Sequence, residues 1–261
     1  MVSDAAGAVS VTAEALERLC AVAREAGAAA MRHYAEQGVV ELKADRSPLT
    51  AADRASHAVI SDALATWDPR VPMVSEEGEI APYETRRTWS RFWLVDPLDG
   101  TKEFLQRNGE FTVNIALVEV GAPVLGVVYA PALDVLYAAG AGLGAWKHAR
   151  DAAARRLFGP SGADGRGLVV VESRSHPSPA LEEYLKTVRV ARRVQVGSSL
   201  KFGLVAEGSA DLYPRLGPTM EWDVAAGDCV WRDAARTGRR ASPLTYNKPD
   251  LRNSDFVIGS S

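Results

Sequence analysis

An apolar run that closes on a proline between two aspartates, residues 93–104 (WLVDPLDGTKEF), limits most tightly what this chain can fold into. Residues 91–95 (RFWLV) have the aromatic and β-branched character of a buried strand. Pro97 has no amide hydrogen, so the strand is expected to stop before it and to leave Asp96 and Asp99 on its exit loop. Two carboxylates this close repel each other unless a cation lies between them, and hard divalent ions such as Mg²⁺ prefer oxygen donors of this kind. Gly100 and Thr101 follow at once. Glycine lets the backbone approach an anion closely, and the next turn of chain can aim free N–H groups at it. On the residues alone, Asp96-Pro97 and Asp99-Gly100 read equally well as ordinary turn dipeptides.

The chain has 261 residues, 47% hydrophobic and 24% charged, enough for one large domain or two tightly joined halves around a sizeable core. With 33 acidic and 30 basic side chains the formal charge is −3, so no global basic field draws in nucleic acid, although a local cluster could still bind a nucleotide. Cys20 and Cys229 are far apart and belong to no zinc or CxxC pattern, which fits a reduced, cytoplasmic compartment. His33, His57, His148 and His176 form no HExxH, so a metal is expected on carboxylates rather than imidazoles. No apolar run suffices for an integral membrane segment, the start MVSDAAGAVS lacks the regions of a secretion signal, and no GxxxxGK[ST] is present.

Leu16, Leu19, Cys20, Ala23, Ala26, Ala30, Met31 and Tyr34 recur at spacings of three and four and predict a helix over 12–36. A loop with Val39, Val40, Leu42, Lys43, Ala44 and Asp45 leads through Ser47-Pro48 to a second helix expected over 50–64. Thr50 and Asp53 share one face at its start, in the pattern of a cap answered at the third position. Residues 71–74 predict a short strand whose exit carries Ser75, Glu76, Glu77 and Gly78. Paired glutamates are ordinarily solvated surface. A second strand ending in acids is also what two neighbouring strands delivering ligands to one point would look like. Residues 111–119, 123–129, 135–139 and 144–146 predict an antiparallel meander. The stretch 149–167 has no clear period and marks the expected boundary between a first half, 1–150, and a second, 151–261.

The second half alternates, with strands expected at 168–172, 193–196, 210–213 and 256–258 and helices at 179–187, 198–207 and 223–234, the mark of an α/β layer. GSSLKF, 197–202, puts Ser198 and Ser199 at a helix start with Lys201 one turn along. That suits an ordinary serine cap with a surface lysine, or hydroxyls, amides and an ammonium converging on a phosphate. Asp223, in EWDVAAGD, has the position of an N-cap, and the small residues after it permit close packing. Arg232, Arg236, Arg239 and Arg240, in VWRDAARTGRRA, are expected to form a solvated face.

Five motifs in order, TAAD, SEE, DPLDGTKEF, GSSLKF and WDVAAG, resemble those of the inositol monophosphatase superfamily of Mg²⁺-dependent, lithium-sensitive phosphatases. The resemblance runs over nearly the whole chain, as far as PLTYNKPDLRN. KEF after DPLDGT is most similar to the bisphosphate nucleotidase branch, which removes the 3′-phosphate from adenosine 3′,5′-bisphosphate. What the resemblance implies is an α/β fold, the layered α-β-α-β-α sandwich of the inositol monophosphatase and fructose bisphosphatase type, with the active site between the two halves. It implies two or three Mg²⁺ per site, one held by Glu76, Asp96 and the carbonyl of Leu98, another by Asp96, Asp99 and Asp223. Water on the first would be oriented by Thr101 with Asp53 behind it, Glu77 being a further candidate for activating it. That water would attack phosphorus in line, without a covalent phosphoenzyme. Substrate contacts implied in the same way are Glu76, Leu98, Asp99, Gly100, Thr101, Lys102, His176, Gly197, Ser198, Lys201, Arg215 and Asp223. The partner is then a small nucleotide rather than a nucleic acid. Two other readings compete: a sister phosphatase acting on inositol monophosphate or fructose bisphosphate, and a catalytically weak nucleotide or metal sensor. KEF and GSSLK argue against the first, and the full ligand set against the second. Some members of the branch are described as lying loosely on the inner face of a membrane; the sequence leaves that, the substrate range and the oligomeric state open.

Overall fold

The computed structural model describes residues 9–34, 41–42, 48–161, 165–176 and 178–259. Two long helices come first, α1 (Ala13–Tyr34) and α2 (Ala51–Trp67), with a small antiparallel pair between them, β1 (Glu41–Leu42) and β2 (Pro48–Leu49). Both helices fall where apolar spacing places them. Residues 35 and 36 of the expected first helix, and Val39, Val40, Lys43, Ala44, Asp45 and Ser47 of the loop, lie outside the described residues.

A seven-stranded sheet then runs in sequence order: β3 (Met73–Ser75), β4 (Arg91–Asp99), β5 (Thr112–Glu119), β6 (Ala122–Ala130), β7 (Val135–Gly140), β8 (Gly144–Ala149) and β9 (Arg155–Leu157). Short helices α3 (Tyr83–Arg86) and α4 (Thr101–Gln106) flank β4 in the chain. Only β3 and β4 run parallel. The two-residue period of a strand divides the apolar side chains between two cores. Trp93, Val95, Ile115, Leu117 and Val127 face α1 and α2, while Phe92, Leu94, Ala116, Val118 and Val128 face the other way. Burial on both faces explains why β4 and β5 read as nearly continuous apolar runs rather than alternating ones.

The second half forms a four-stranded sheet from β10 (Leu168–Ser173), β11 (Val190–Val196), β12 (Leu212–Arg215) and, after the small pair β13 (Thr219–Met220) and β14 (Arg252–Asn253), β15 (Phe256–Gly259). Its order is β11-β10-β12-β15, with β10 parallel to β11 and β12 and β15 antiparallel to β12. Helices α5 (Pro179–Leu185), α6 (Leu200–Ala206) and α7 (Glu221–Asp233) complete the chain. Leu200, Phe202 and Val205 of α6 and Val224, Ala225 and Cys229 of α7 share one core with the inner faces of both sheets. Tyr184 and Leu185, at the end of α5, pack against Leu168, Val170 and Leu212 on the outer side. The layers are therefore α1/α2, large sheet, α6/α7, small sheet, α5.

β9 lies inside the stretch expected to be a crossing. It is an edge strand with a single buried residue, Leu157, so it pairs through its backbone and leaves almost no apolar signature. The arginines of 232–240 are a solvated face only in part: Arg236 and Arg239 are exposed, whereas Arg232 and Arg240 are half-buried. Asp228 and Asp233 are buried on α7, and a buried carboxylate needs a counter-charge. Arg232 Nε donates to Asp228 Oδ2 at 2.8 Å, and Arg239 meets Asp233 at 2.8 Å and donates to the carbonyl of Pro123 at 2.6 Å. Arg240 lies over the Trp231 ring at 4.6 Å and donates to the carbonyls of Ala234 and Phe158 at 2.6 and 2.7 Å. Arg236 lies over the Phe158 ring at 5.0 Å.

Residues 247–249 are clasped from two sides. Arg86, 2% exposed, donates to the carbonyl of Ala81 at 2.9 Å, to Asn247 Oδ1 at 2.8 Å and to the carbonyl of Pro249 at 3.0 Å. From α7, the buried carboxylate of Glu221 accepts the N–H of Asn247 at 2.7 Å and that of Lys248 at 2.8 Å, and pairs with the Lys248 ammonium at 2.8 Å. The clasp links α3, in the first half, to the first residue of α7.

Candidate active site

Because β3 and β4 run parallel, their C-terminal ends lie side by side and deliver Glu76 and Asp96 together; the Glu76 N–H donates to the carbonyl of Val95 at 3.1 Å. The strand does not stop before Pro97. Asp96 pairs with Asn114 and Asp99 with Thr112, and Pro97-Leu98 bulges between them, so the two aspartates sit on β4 rather than on an exit loop. β3 ends at Ser75, which leaves β4 an open edge at Pro97, where a residue without an amide hydrogen breaks no ladder bond. The bulge is pinned on both sides: Leu98 N–H donates to Asp96 Oδ1 at 3.0 Å, and Ser56 Oγ of α2 donates to the carbonyl of Pro97 at 2.7 Å.

Asp223 arrives from the other half. It is the third residue of α7 rather than its cap; Met220 occupies the cap position and its N–H donates to Asp223 Oδ2 at 2.8 Å. Carboxylate oxygens of Glu76, Asp96 and Asp223 all lie within 4.8 Å of one another. Burial, and then the charges of Glu76, Asp99 and Asp223, hold the Asp96 carboxyl well above the usual carboxylate range. Burial and Asp99 do the same to Asp223. Asp99 is also raised by burial, against the pull of Lys201, and its Oδ2 accepts from Ser199 Oγ at 3.1 Å. An oxygen-only cluster that resists ionising on its own fits a hard divalent cation such as Mg²⁺.

Asp53 is 2% exposed and its Oδ2 accepts from Thr50 twice, from the backbone N–H at 2.8 Å and from Oγ1 at 2.6 Å. It is the third-position partner of the Thr50 cap, and no hydrogen bond joins it to Thr101. Burial raises its pKa to about 6, with the nearby charge of Glu77 adding to the rise. Glu77 also acts on His57, whose ring nitrogens lie 2.9 Å from Ser75 Oγ and 3.2 Å from Ser61 Oγ.

The acids open into a cavity of about 990 Å³ between the two halves. Of the residues marked in the sequence, Glu76, Asp96, Leu98, Asp99, Gly100, Thr101, Lys102, His176, Ser198, Lys201, Arg215 and Asp223 line it; Asp53, Glu77 and Gly197 do not. Gly100 turns the chain from β4 into α4 at φ 88°, a conformation that L side chains rarely adopt. Gly197 is fixed by crowding, since a Cβ there would lie 2.6 Å from Glu103 Cγ and 2.8 Å from the carbonyl of Glu110. Lys201 is no surface lysine. It is 4% exposed, donates to the carbonyls of Ser198 and, at 3.3 Å, Val196, and lies over the Tyr213 ring at 5.6 Å. Burial lowers its pKa to about 8 against the charge of Asp99. Arg215 donates to the carbonyl of Pro218 at 2.9 Å. Burial, Arg215 and Lys102 depress the His176 imidazole, whose Nδ1 lies 3.3 Å from Ser173 Oγ.

The inositol monophosphatase family profile matches residues 12–255, which contain every one of these side chains. The chain belongs to the inositol monophosphatase family. It is 52% identical over 238 residues to a 3′(2′),5′-bisphosphate nucleotidase CysQ of Shigella flexneri, across 88% of this chain and 93% of that one. To the Haemophilus influenzae 3′(2′),5′-bisphosphate nucleotidase CysQ it is 36% identical over 247 residues, covering 93% of this chain and 91% of the relative. Among solved structures, CysQ of Bacteroides thetaiotaomicron superposes with a TM-score of 0.79 at 40% identity, over 95% of this chain and 97% of the other. The extragenic suppressor protein SuhB of Bartonella henselae gives 0.76 at 27% identity, over 95% and 94%.

Among the cavity residues of this family member to which sequence reasoning gave no role are Glu103, Tyr213 and Arg252. Glu103 and Ser199 stood in motifs already singled out, KEF and GSSLKF. Ser199 Oγ lies 3.1 Å from Asp99, accepts from Asn114 Nδ2 at 3.0 Å and contacts the carbonyl of Asp223, so it ties the two halves at the acids. Arg252 gave no local signal, because only the pairing of β14 with β13 brings it to the cavity rim.

Proposed function

We propose that the chain is a Mg²⁺-dependent 3′(2′),5′-bisphosphate nucleotidase of the cytoplasm, removing the 3′-phosphate of adenosine 3′,5′-bisphosphate to leave AMP and phosphate. The observation that carries this is one cavity with the acidic cluster Glu76, Asp96 and Asp223 on one wall and Lys102, His176, Lys201 and Arg215 on the others. The nucleotidases at up to 52% identity support the choice of substrate. Glu76, Asp96, Asp99, Asp223 and the carbonyl of Leu98 would hold the metal ions, two or three in number. When bound, such ions offset phosphoryl charge and make water a nucleophile near neutral pH.

The protein's own part is to position and to screen. The first amides of α4, at Gly100 and Thr101, face the cavity and suit phosphoryl oxygens. Lys201 and Arg215 supply positive charge on the second half for the nucleotide's remaining phosphate. Thr101 would orient water, and Asp53, on α2, fixes the start of that helix through Thr50. The halves 1–150 and 151–261 act as the metal-bearing and nucleotide-bearing walls.

Phosphate release with Mg²⁺ from adenosine 3′,5′-bisphosphate and from inositol 1-phosphate, side by side and with or without lithium, tests this. A large preference for the nucleotide, lost with Mg²⁺ and inhibited by lithium, is the expected result. Preference for the inositol ester would discard the substrate and keep the metal site, and no release from either would leave a binding protein.

A further inference from the structure

Glu103 puts a fifth carboxylate on the cavity wall, near Asp99 and next to cations. It is 3% exposed, on the third residue of α4, so the turn that carries Gly100 and Thr101 also fixes Glu103. Its Oε1 accepts the Ser175 hydroxyl, which sets the plane of the carboxylate. Its Oε2 has no hydrogen-bond partner and is not sealed from the cavity. That oxygen lies against the Gly-Thr turn: a Cβ at Gly100 would be 3.2 Å from it. Lys201 and His176 both feel the charge of Glu103.

A carboxylate repels a phosphate, and it accepts hydrogen bonds but cannot donate them when ionised. Beside a phosphoryl site it is stabilised by neighbouring cations such as Lys201 and by any donor on the part of the substrate that adjoins the phosphate. In a ribose 3′- or 2′-phosphate that donor is the neighbouring hydroxyl. We propose that Glu103 is a specificity-determining residue whose Oε2 accepts a hydrogen bond from the hydroxyl vicinal to the scissile phosphate, so that the preferred substrates are phosphomonoesters of a vicinal diol. This rests on the nucleotidase reading of the cavity. A substrate lacking the hydroxyl leaves a desolvated acceptor unpaired, and sites built around a hydrogen bond reject such analogues strongly.

Glu103→Gln is the discriminating variant. Its carbonyl oxygen can still accept from Ser175, which turns the amide NH₂ toward the cavity and replaces an acceptor by a donor without changing size. The measurement is kcat/KM for adenosine 3′,5′-bisphosphate and for its 2′-deoxy analogue, in the parent and in the variant. The parent is expected to favour the ribose substrate by roughly 10- to 100-fold, as for a lost hydrogen bond to a charged group, and the variant to lose that preference. An unchanged ratio in Glu103→Gln overturns the proposal and makes Glu103 a structural tie to Ser175. Calorimetric binding of AMP and 2′-deoxy-AMP reads the same ratio without turnover, so a slow or weakened variant still decides. If the parent cleaves both nucleotides equally, the Glu103 assignment alone fails. If it cleaves neither but does cleave inositol 1-phosphate, the nucleotidase reading fails and this assignment with it.

Discussion

Magnesium should stabilise this protein, and the stabilisation should grow as pH rises. Asp96 and Asp223 are both held well above the ordinary carboxylate range, chiefly by burial and then by each other's neighbours. A raised carboxyl contributes stability to the metal-free fold below its ordinary pKa and loses it as pH rises through its folded value. A cation needs both groups ionised, so binding releases up to two protons on the acid side. Each proton released changes apparent affinity up to tenfold per pH unit, so Mg²⁺ affinity should rise by as much as roughly 100-fold per unit through that range. Binding stabilises the fold logarithmically with affinity, so the difference in melting temperature with and without Mg²⁺ should widen as pH rises above the ordinary carboxylate range. Taking the difference matters, because burial depresses the imidazoles of His57, His148 and His176, which destabilise the fold on acidification whether or not metal is present. Asp223→Asn provides the control. An amide oxygen can still accept from Met220, so the metal-free variant should be at least as stable as the parent near neutral pH while losing most of the Mg²⁺ effect. A Mg²⁺-induced shift that is flat across this pH range, or one that survives in Asp223→Asn, would refute the assignment of these acids to the metal.

Other outcomes follow from single contacts. Asp99→Asn should lower phosphate release by orders of magnitude with little change in melting temperature; near-normal turnover would remove Asp99 from the metal set. Lys201→Ala should raise KM for the bisphosphate, by about 1–3 kcal/mol for a lost charge-assisted hydrogen bond, while leaving Mg²⁺-induced stabilisation in place. Glu221→Ala takes the acceptor from two half-buried amides and one of three oxygen partners from the Lys248 ammonium, and should cost about 1–3 kcal/mol in urea unfolding at neutral pH.

The large-scale order of the molecule was legible because apolar spacing and turn residues are local signals. The long helices, the meander and the alternation of the second half all appear at or near their expected positions. The same locality set the limit. Pro97 argues for a break only if both neighbours of β4 continue alongside it, and the short β3 removes one of them. The arginines near 240 look solvent-facing until Asp228 and Asp233 are seen to be buried on the same helix. Lys201 reads as surface from its type, whereas the layer above it encloses it. Asp53 reads as a capping residue and is one.

The clasp around residues 247–249 bears on when the site comes into being. Asp223 is the acid that arrives from the second half, two residues beyond Glu221, and the start of its helix is held by chain that follows it. The Arg86–Asn247 bond spans 161 residues of sequence, so it cannot form until residue 247 has left the ribosome. A nascent chain would expose Glu76, Asp96 and Asp99 long before it could close a cage around a cation, and loading would wait for the stretch around residue 247. A truncated product ending before residue 247 should remain both unloaded and open.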